Sequence, residues 1–527
     1  MTMPRALLLA CLVLGVATAA PAAALTDTLQ QLDTRNFRTK MAVAEDIAAS
    51  GHPRAATVLE ALAAGNLYFE RPADRAAVRR DDDTVVNAAT GEPVAEPGEL
   101  DRVIVNILMR RQIADAVARL NLSADEPDTR LAAARNLFGE LDDEGAAMVR
   151  ERLAAESDDR VRAALETALA LAALDGGDRE AQMAAIDRLR GQLFDSARNA
   201  LRNAAADESL DTPVREAAGA AFAATEQRVS FFNTVEQVYY GLSMGSVLLL
   251  AAIGLAITFG VMGVINMAHG ELIMLGAYTT YVLQQLLPGH VGLALVLAVP
   301  AAFLVAGAFG VAIERGIIRH LYGRPLETLL ATFGLSLILQ QLARTVFSPL
   351  NRSVSAPEWL SGSIVINPVL SLTVNRLVII AFALAVFVAL VLLLKRTTLG
   401  LKVRAVTQNR AMARAVGVRS DWVDALTFGL GAGIAGIAGV ALSQLTNVGP
   451  NMGQAYIIDS FLVVVFGGAG SLMGTLVGAF SLGLLNKFLE PATGAVLAKI
   501  LVLVFVILFI QKRPKGLFPQ RGRAAEG

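Results

Sequence analysis

Between Ile257 and Tyr281 the chain reads ITFGVMGVINMAHGELIMLGAYTTY, and Asn266, His269 and Glu271 fall within six positions of an otherwise apolar, membrane-length run. Polar and ionisable groups are expensive at membrane depth, so such a cluster marks a solute path or a bundle interior. Gly260, Gly263 and Gly270 interrupt its helical pattern. Broken helices recur where transporters handle solutes. Asn266, Thr258 and backbone carbonyls near Gly263 and Gly270 would serve a small neutral amide-like solute. His269 with Glu271 would supply charge for a zwitterion. The same His269-Gly270-Glu271 triplet also fits a structural hydrogen-bonded knot between two spans.

A second stretch, Val403 to Val418 (VRAVTQNRAMARAVGV), is basic and amphipathic. Ala405, Asn409, Ala413 and Gly417 recur every fourth residue, which puts them on one face if the stretch is a single helix. Arg404, Arg410 and Arg414 flank that face. A surface helix held by anionic lipid and a docking helix for a partner protein both fit.

Other chemistry is absent. The four histidines, His52, His269, His290 and His320, are scattered and suggest no metal site. No phosphate-binding G-x-x-x-x-G-K-[ST] occurs, so ATP hydrolysis by that route is excluded. No nucleophile–base arrangement stands out, and no cofactor is called for. Asp81-Asp82-Asp83 reads as a solvated turn in a loop over about 72–98. Asp459 reads as a lone acid at an outer rim.

These residues sit in a chain of two unlike halves. It has 527 residues, is 54% hydrophobic and has a mean hydropathy of +0.52, too apolar for an ordinary soluble enzyme. The net charge of −1 averages the halves and says little about partners. Arg5, the apolar run Ala6 to Val16 and Ala22-Ala23-Ala24 read as a secretory signal over 1–24, cleaved after about Ala24, with an uncleaved anchor helix as the rival reading. The only cysteine, Cys11, lies within it. Residues 25–235 read as a soluble helical domain. Asp128–Phe138, Asp159–Ala170 and Thr212–Ala223 look alike, the first two about 31 residues apart, like stacked HEAT-like helical pairs. A generic alanine-rich helical domain fits equally.

From 236 to 512 the chain is a membrane domain, followed by a tail over 513–527. Apolar runs near 238–261, 266–287, 291–313, 327–347, 374–394, 422–443, 456–470, 473–489 and 495–511 give eight or nine spans. The fold class expected is all-α, a polytopic helix bundle. Basic residues gather at Arg315–Arg324, Lys395–Arg419 and Lys512–Arg523, which the positive-inside bias makes cytoplasmic. Gly241/Gly245, Gly429/Gly433, Gly470/Gly474 and Gly474/Gly478 are spaced for close helix packing.

NMAHGELIMLGAY, TTLGLKVRAVTQNRAMARAVGV and VFGGAGSLMGTLVGA together resemble the ABC permeases of the branched-chain amino acid class, over about 235–517. With a long secreted domain ahead of the spans, the architecture is most similar to urea transporter permease subunits. The resemblance implies a multi-pass inner-membrane permease, not an enzyme, with a periplasmic N-terminal domain. It implies a second homologous permease, two ATP-binding subunits that hydrolyse ATP, a periplasmic solute-binding protein and contact with membrane lipid, and no nucleic acid. The solute would be urea, or alternatively a branched-chain amino acid or short amide. A passive channel and a membrane-anchored scaffold are rivals from other classes. The Val403–Val418 stretch would be the coupling element, although Thr407-Gln408-Asn409 departs from the usual Glu-Ala-Ala motif.

An alkaline phosphatase fusion near residue 150 should be active and one near residue 408 inactive; the reverse pattern would overturn the orientation.

Overall fold

The computed structural model describes residues 19–518, except 35, 72, 74, 81–83, 96, 140 and 177. Most of the expected signal, Cys11, the Asp81–Asp83 triplet and the tail beyond 518 therefore lie outside the described residues. The chain divides into two compact units, residues 1–229 and 230–527.

The first unit opens with α1 (Ala19–Gln30), α2 (Phe37–Ala49) and α3 (Ala55–Ala64). The expected cleavage point after Ala24 falls within α1. A four-stranded antiparallel sheet follows, made of β1 (Leu67–Arg71), β2 (Arg75–Arg79), β3 (Val85–Asn87) and β4 (Glu99–Arg102), in the order β3-β2-β1-β4. This corrects the loop expected over about 72–98 and adds a small sheet to a unit that is otherwise helical, as expected. Leu67, Phe69, Ala76, Val78 and Val86 turn one face of the sheet onto a core shared with Val58, Leu62 and Met109. Glu70 is buried between Arg75 and the Gly98 amide.

Helical pairs complete the unit: α4 (Ile107–Asn121), α5 (Pro127–Asn136), α6 (Asp143–Ala155), α7 (Asp159–Leu174), α8 (Arg179–Leu189) and α9 (Asp195–Ala206). Side-chain caps start several of them. Asp158 accepts from Arg160 and Val161, and Asp178 from Glu180. The starts expected near Asp128 and Asp159 match α5 and α7. Alanine-rich faces stack: Ala134, Leu137, Val161 and Leu165 form one layer, and Leu189, Leu201, Val214 and Ala218 another.

One polar lock fastens this stack. Arg130 on α5 donates from Nε and Nη2 to the two carboxylate oxygens of Glu156, both at 2.8 Å. Glu156, at the end of α6, also accepts from the amides of Ser157 and Asp158 at 2.9 Å. Arg130 Nη1 donates to the carbonyls of Ala124 and Asp125. Both partners are buried and almost every polar atom is used.

The longest helix, α10 (Thr212–Met262), passes from the first unit into the second. There it is followed by α11 (His269–Leu286), α12 (Val291–Gly316), α13 (Pro325–Phe347), α14 (Val374–Arg396), the short α15 (Thr398–Gln408) and α16 (Arg410–Ala415), then α17 (Ser420–Ser443), α18 (Met452–Gly467), α19 (Leu472–Thr493) and α20 (Ala495–Lys512). A small hairpin, β5 (Ser363–Val365) with β6 (Ser371–Thr373), precedes α14. Nine long helices thus stand where nine apolar runs were read. Seven of them are long and apolar enough to cross a membrane; α11 and the 16-residue α18 are not among the seven. The apolar windows of α10 and α17 are 83% buried, against 17% for α20, so α10 and α17 form the centre of the bundle and α20 its rim.

The Arg130–Glu156 lock makes the first unit acid-sensitive. The hydrogen bonds from Arg130 hold the Glu156 carboxyl far below the ordinary value, at about 2. A depressed carboxylate stabilises above its unfolded pKa, and this is lost as pH falls from the ordinary range through about 2. Glu156→Gln should leave the Arg130 charge buried and unpaired, costing about 3–5 kcal/mol at neutral pH. Hydrogen exchange of residues 127–174 in the full chain should rise accordingly, and unchanged protection would refute the lock.

Candidate functional site

The break expected near Gly263 is present. Helix α10 stops at Met262, Gly263 adopts a φ of +69° that few other residues tolerate, and α11 begins only at His269. Gly260 and Gly270, by contrast, lie inside helices. Their role is close approach, since a Cβ on Gly260 would stand 2.4 Å from Gly470 Cα and one on Gly270 2.4 Å from the Gly453 carbonyl.

The break buries the three polar residues read from the sequence. Asn266 is 1% exposed, and its Oδ1 accepts from the Ala268 amide at 3.0 Å. His269 is fully buried, with Nε2 2.9 Å from the Ala251 carbonyl of α10. Glu271 is 1% exposed and accepts through Oε1 from Ser336 Oγ at 3.0 Å and Gln340 Nε2 at 2.8 Å, both on α13. His269 and Glu271 therefore do not pair: one faces α10 and the other α13. Thr332 ties the break to α13 as well, its hydroxyl accepting from the Met267 amide at 3.2 Å. Thr258 stands apart. Its hydroxyl donates to its own helix at Leu255, and its methyl packs near Gly431.

Three atoms of this cluster keep unused hydrogen-bonding capacity among the described residues: Asn266 Nδ2, His269 Nδ1 and Glu271 Oε2. Buried polar groups are nearly always satisfied, so each spare atom calls for a partner. Sequence reading missed Thr332, Ser336 and Gln340. Their signal was available, because they recur every fourth residue along an apolar span and so form one polar stripe.

The Val403–Val418 stretch does not form one helix, which corrects the four-residue face. Asn409 is extended (φ −153°, ψ 101°) and caps α16, its side chain accepting from the Met412 amide at 3.0 Å. Gly417 has a φ of +89° beyond the end of α16. Ala405, Asn409, Ala413 and Gly417 thus belong to different segments, and Ala413 is buried with Val403, Val406 and Val423. Arg410 is turned inward: its guanidinium grips Asp424 of α17 with bonds of 2.8 and 2.9 Å and lies 4.5 Å from the Tyr322 ring. The exposed side of the stretch instead shows Leu401, Met412 and Val416 among Lys402, Arg404 and Arg414. Asp459 is not a lone acid either, since Lys499 of α20 stands 3.5 Å away.

A model of the family described as branched-chain amino acid transport system, permease component, matches residues 237–510. The chain belongs to this family. Among its relatives, the high-affinity branched-chain amino acid transport permease BraD of Pseudomonas aeruginosa is 31% identical over 299 residues, covering 54% of this chain and 96% of BraD. LivH of Escherichia coli, a permease of the same description, is 29% identical with the same coverage. The ribose import permease RbsC of Escherichia coli is 26% identical over 49% of this chain and 79% of its own length. No solved structure matches. The chain is therefore a multi-pass membrane permease component and not an enzyme. The match takes in the break, the polar stripe of α13 and the Asn409 turn, and leaves the first unit outside it.

Proposed function

We propose that this permease component provides the translocation path of an ATP-driven importer for a small hydrogen-bonding solute, and that the solute is urea. The observation that carries this is the set of spare buried atoms at the helix break. Asn266 Nδ2 is a donor for a carbonyl, and Glu271 Oε2 an acceptor for N–H groups. Urea offers both and carries no charge. Among the described residues the groups hydrogen-bonded to Glu271 are the neutral Ser336 and Gln340, and no cation is hydrogen-bonded there to receive the carboxylate of an amino acid. The first unit, read as secreted, supports the same solute through the architectural resemblance.

A branched-chain amino acid or short amide is the second reading, and the descriptions of BraD and LivH favour it. In either case two ATP-binding subunits, a second permease and a periplasmic solute-binding protein complete the importer. Residues 25–235 would be periplasmic and the C-terminus cytoplasmic, in the inner membrane. The exposed apolar patch of Leu401, Met412 and Val416 would meet an ATP-binding subunit, while Arg410 transmits its movement to α17 through Asp424.

In a strain lacking its own importer, this chain with its partner subunits should take up labelled urea, and leucine should not compete. Asn266→Ala removes one hydrogen-bond donor worth about 0.5–1.5 kcal/mol, so uptake should fall up to about tenfold with expression retained. Leucine uptake that urea fails to inhibit would overturn the urea reading, and uptake persisting without the ATP-binding subunits would overturn the importer.

A further inference from the structure

A polar pocket of about 360 Å³ opens where the end of α12 meets α16 and the start of α17. Part of its charge is matched within the chain. Arg410 holds Asp424, and Arg414 pairs with Asp421 at 2.8 Å. Three charged groups are left over, besides the Tyr322 hydroxyl, which is buried there without a hydrogen-bond partner among the described residues. Glu314 is 1% exposed, and its Oε2 has no hydrogen-bond partner among the described residues. The Arg315 Nε stands 3.9 Å from that oxygen, beyond hydrogen-bond range. Arg315 lies instead over the Trp422 ring, at 4.1 Å, and its Nη2 is buried without an acceptor. Arg319, exposed at the rim, is the fourth cation against three anions.

A carboxylate oxygen lacking a donor beside a guanidinium N–H lacking an acceptor is costly unless another molecule serves both. The pocket far exceeds the ~30 Å³ share of a single water. A lone anion would meet the Glu314 carboxylate, and a lone cation would meet the arginines. A neutral amide would satisfy donor and acceptor but leave the Arg319 charge unmatched.

We propose that this pocket binds a small zwitterion, with its ammonium on Glu314 and its anionic end on Arg315 Nη2 and Arg319. A free α-amino acid and the headgroup of phosphatidylethanolamine share this chemistry. The occupant bridges the end of α12 to α16 and α17, so it favours the arrangement of the bundle that keeps those ends together, and it acts as a regulator of the permease. Its cytoplasmic location rests on the orientation proposed above, whereas its existence does not, because both faces are open in detergent.

The test uses the full chain in detergent and in nanodiscs, with leucine, urea and phosphatidylethanolamine as probes. Leucine binding by calorimetry that weakens at least about tenfold in both Glu314→Gln and Arg319→Ala identifies a free amino acid as the occupant. Phosphatidylethanolamine retained in native mass spectra by the parent chain, and lost from both variants, identifies the lipid. Arg319 is exposed, so Arg319→Ala keeps the test alive if Glu314→Gln does not fold. The proposal is overturned if neither zwitterion binds or if both variants bind as the parent does. It is also overturned if leucine binding is lost in Asn266→Ala alone, or if urea binds here indifferently to Arg319→Ala.

Discussion

The membrane unit depends on peptide backbones meeting where no side chain intervenes. A Cβ on Gly276 of α11 would stand 2.0 Å from the Gly436 carbonyl of α17, and one on Gly439 would stand 2.0 Å from the Ile273 carbonyl. Gly254 of α10 meets the Gly431 carbonyl at 2.3 Å by the same measure, and Gly436 meets the Ala302 carbonyl of α12 at 2.4 Å. Helix α17 is thus pressed against α10, α11 and α12 along glycine edges. In a bilayer, where apolar surface gives little drive for helices to associate, such close packing is the main attraction available. It also excludes water from whatever lies between. Asn266, His269 and Glu271 are therefore fully buried, and their geometry is set by carbonyls and side chains of fixed helices rather than by solvent.

The same helix carries the other polar constraint. Asp424, buried in the first turns of α17, is gripped by Arg410 from α16, which is itself started by the Asn409 cap. A buried ion pair adds little net stability, but loss of one partner is severe. The pair ties α16 to α17, and α17 touches the helices on both sides of the break. The short helices and the polar cluster are joined through one rigid element.

Much of this was legible in the sequence. The helices showed because long apolar runs alternate with charged turns, although seven rather than the eight or nine expected are long and apolar enough to cross a membrane, and the break showed because Gly263 stands beside three polar residues. The sheet of the first unit did not show, since strands of three to five residues containing arginine and glutamate have no clear alternation. Residues 403–418 were misread because a four-residue period assumes an unbroken helix, while Asn409 is a capping residue that starts a new one. His269 and Glu271 are neighbours in sequence, yet two residues apart on a helix they cannot face each other. The partners Ser336 and Gln340 come from a segment about 65 residues away, a pairing that only packing reveals.

The central claim, that glycine contacts along α17 hold the polar break in place, is tested most directly by thermal unfolding of the full chain in detergent. Gly276→Ala forces a methyl group onto the Gly436 carbonyl and should destabilise by about 1–3 kcal/mol, with a clear fall in Tm. Gly334→Ala, on α13, meets nothing within 4 Å and should be neutral or better. Equal Tm values for Gly276→Ala and the parent chain would contradict the account.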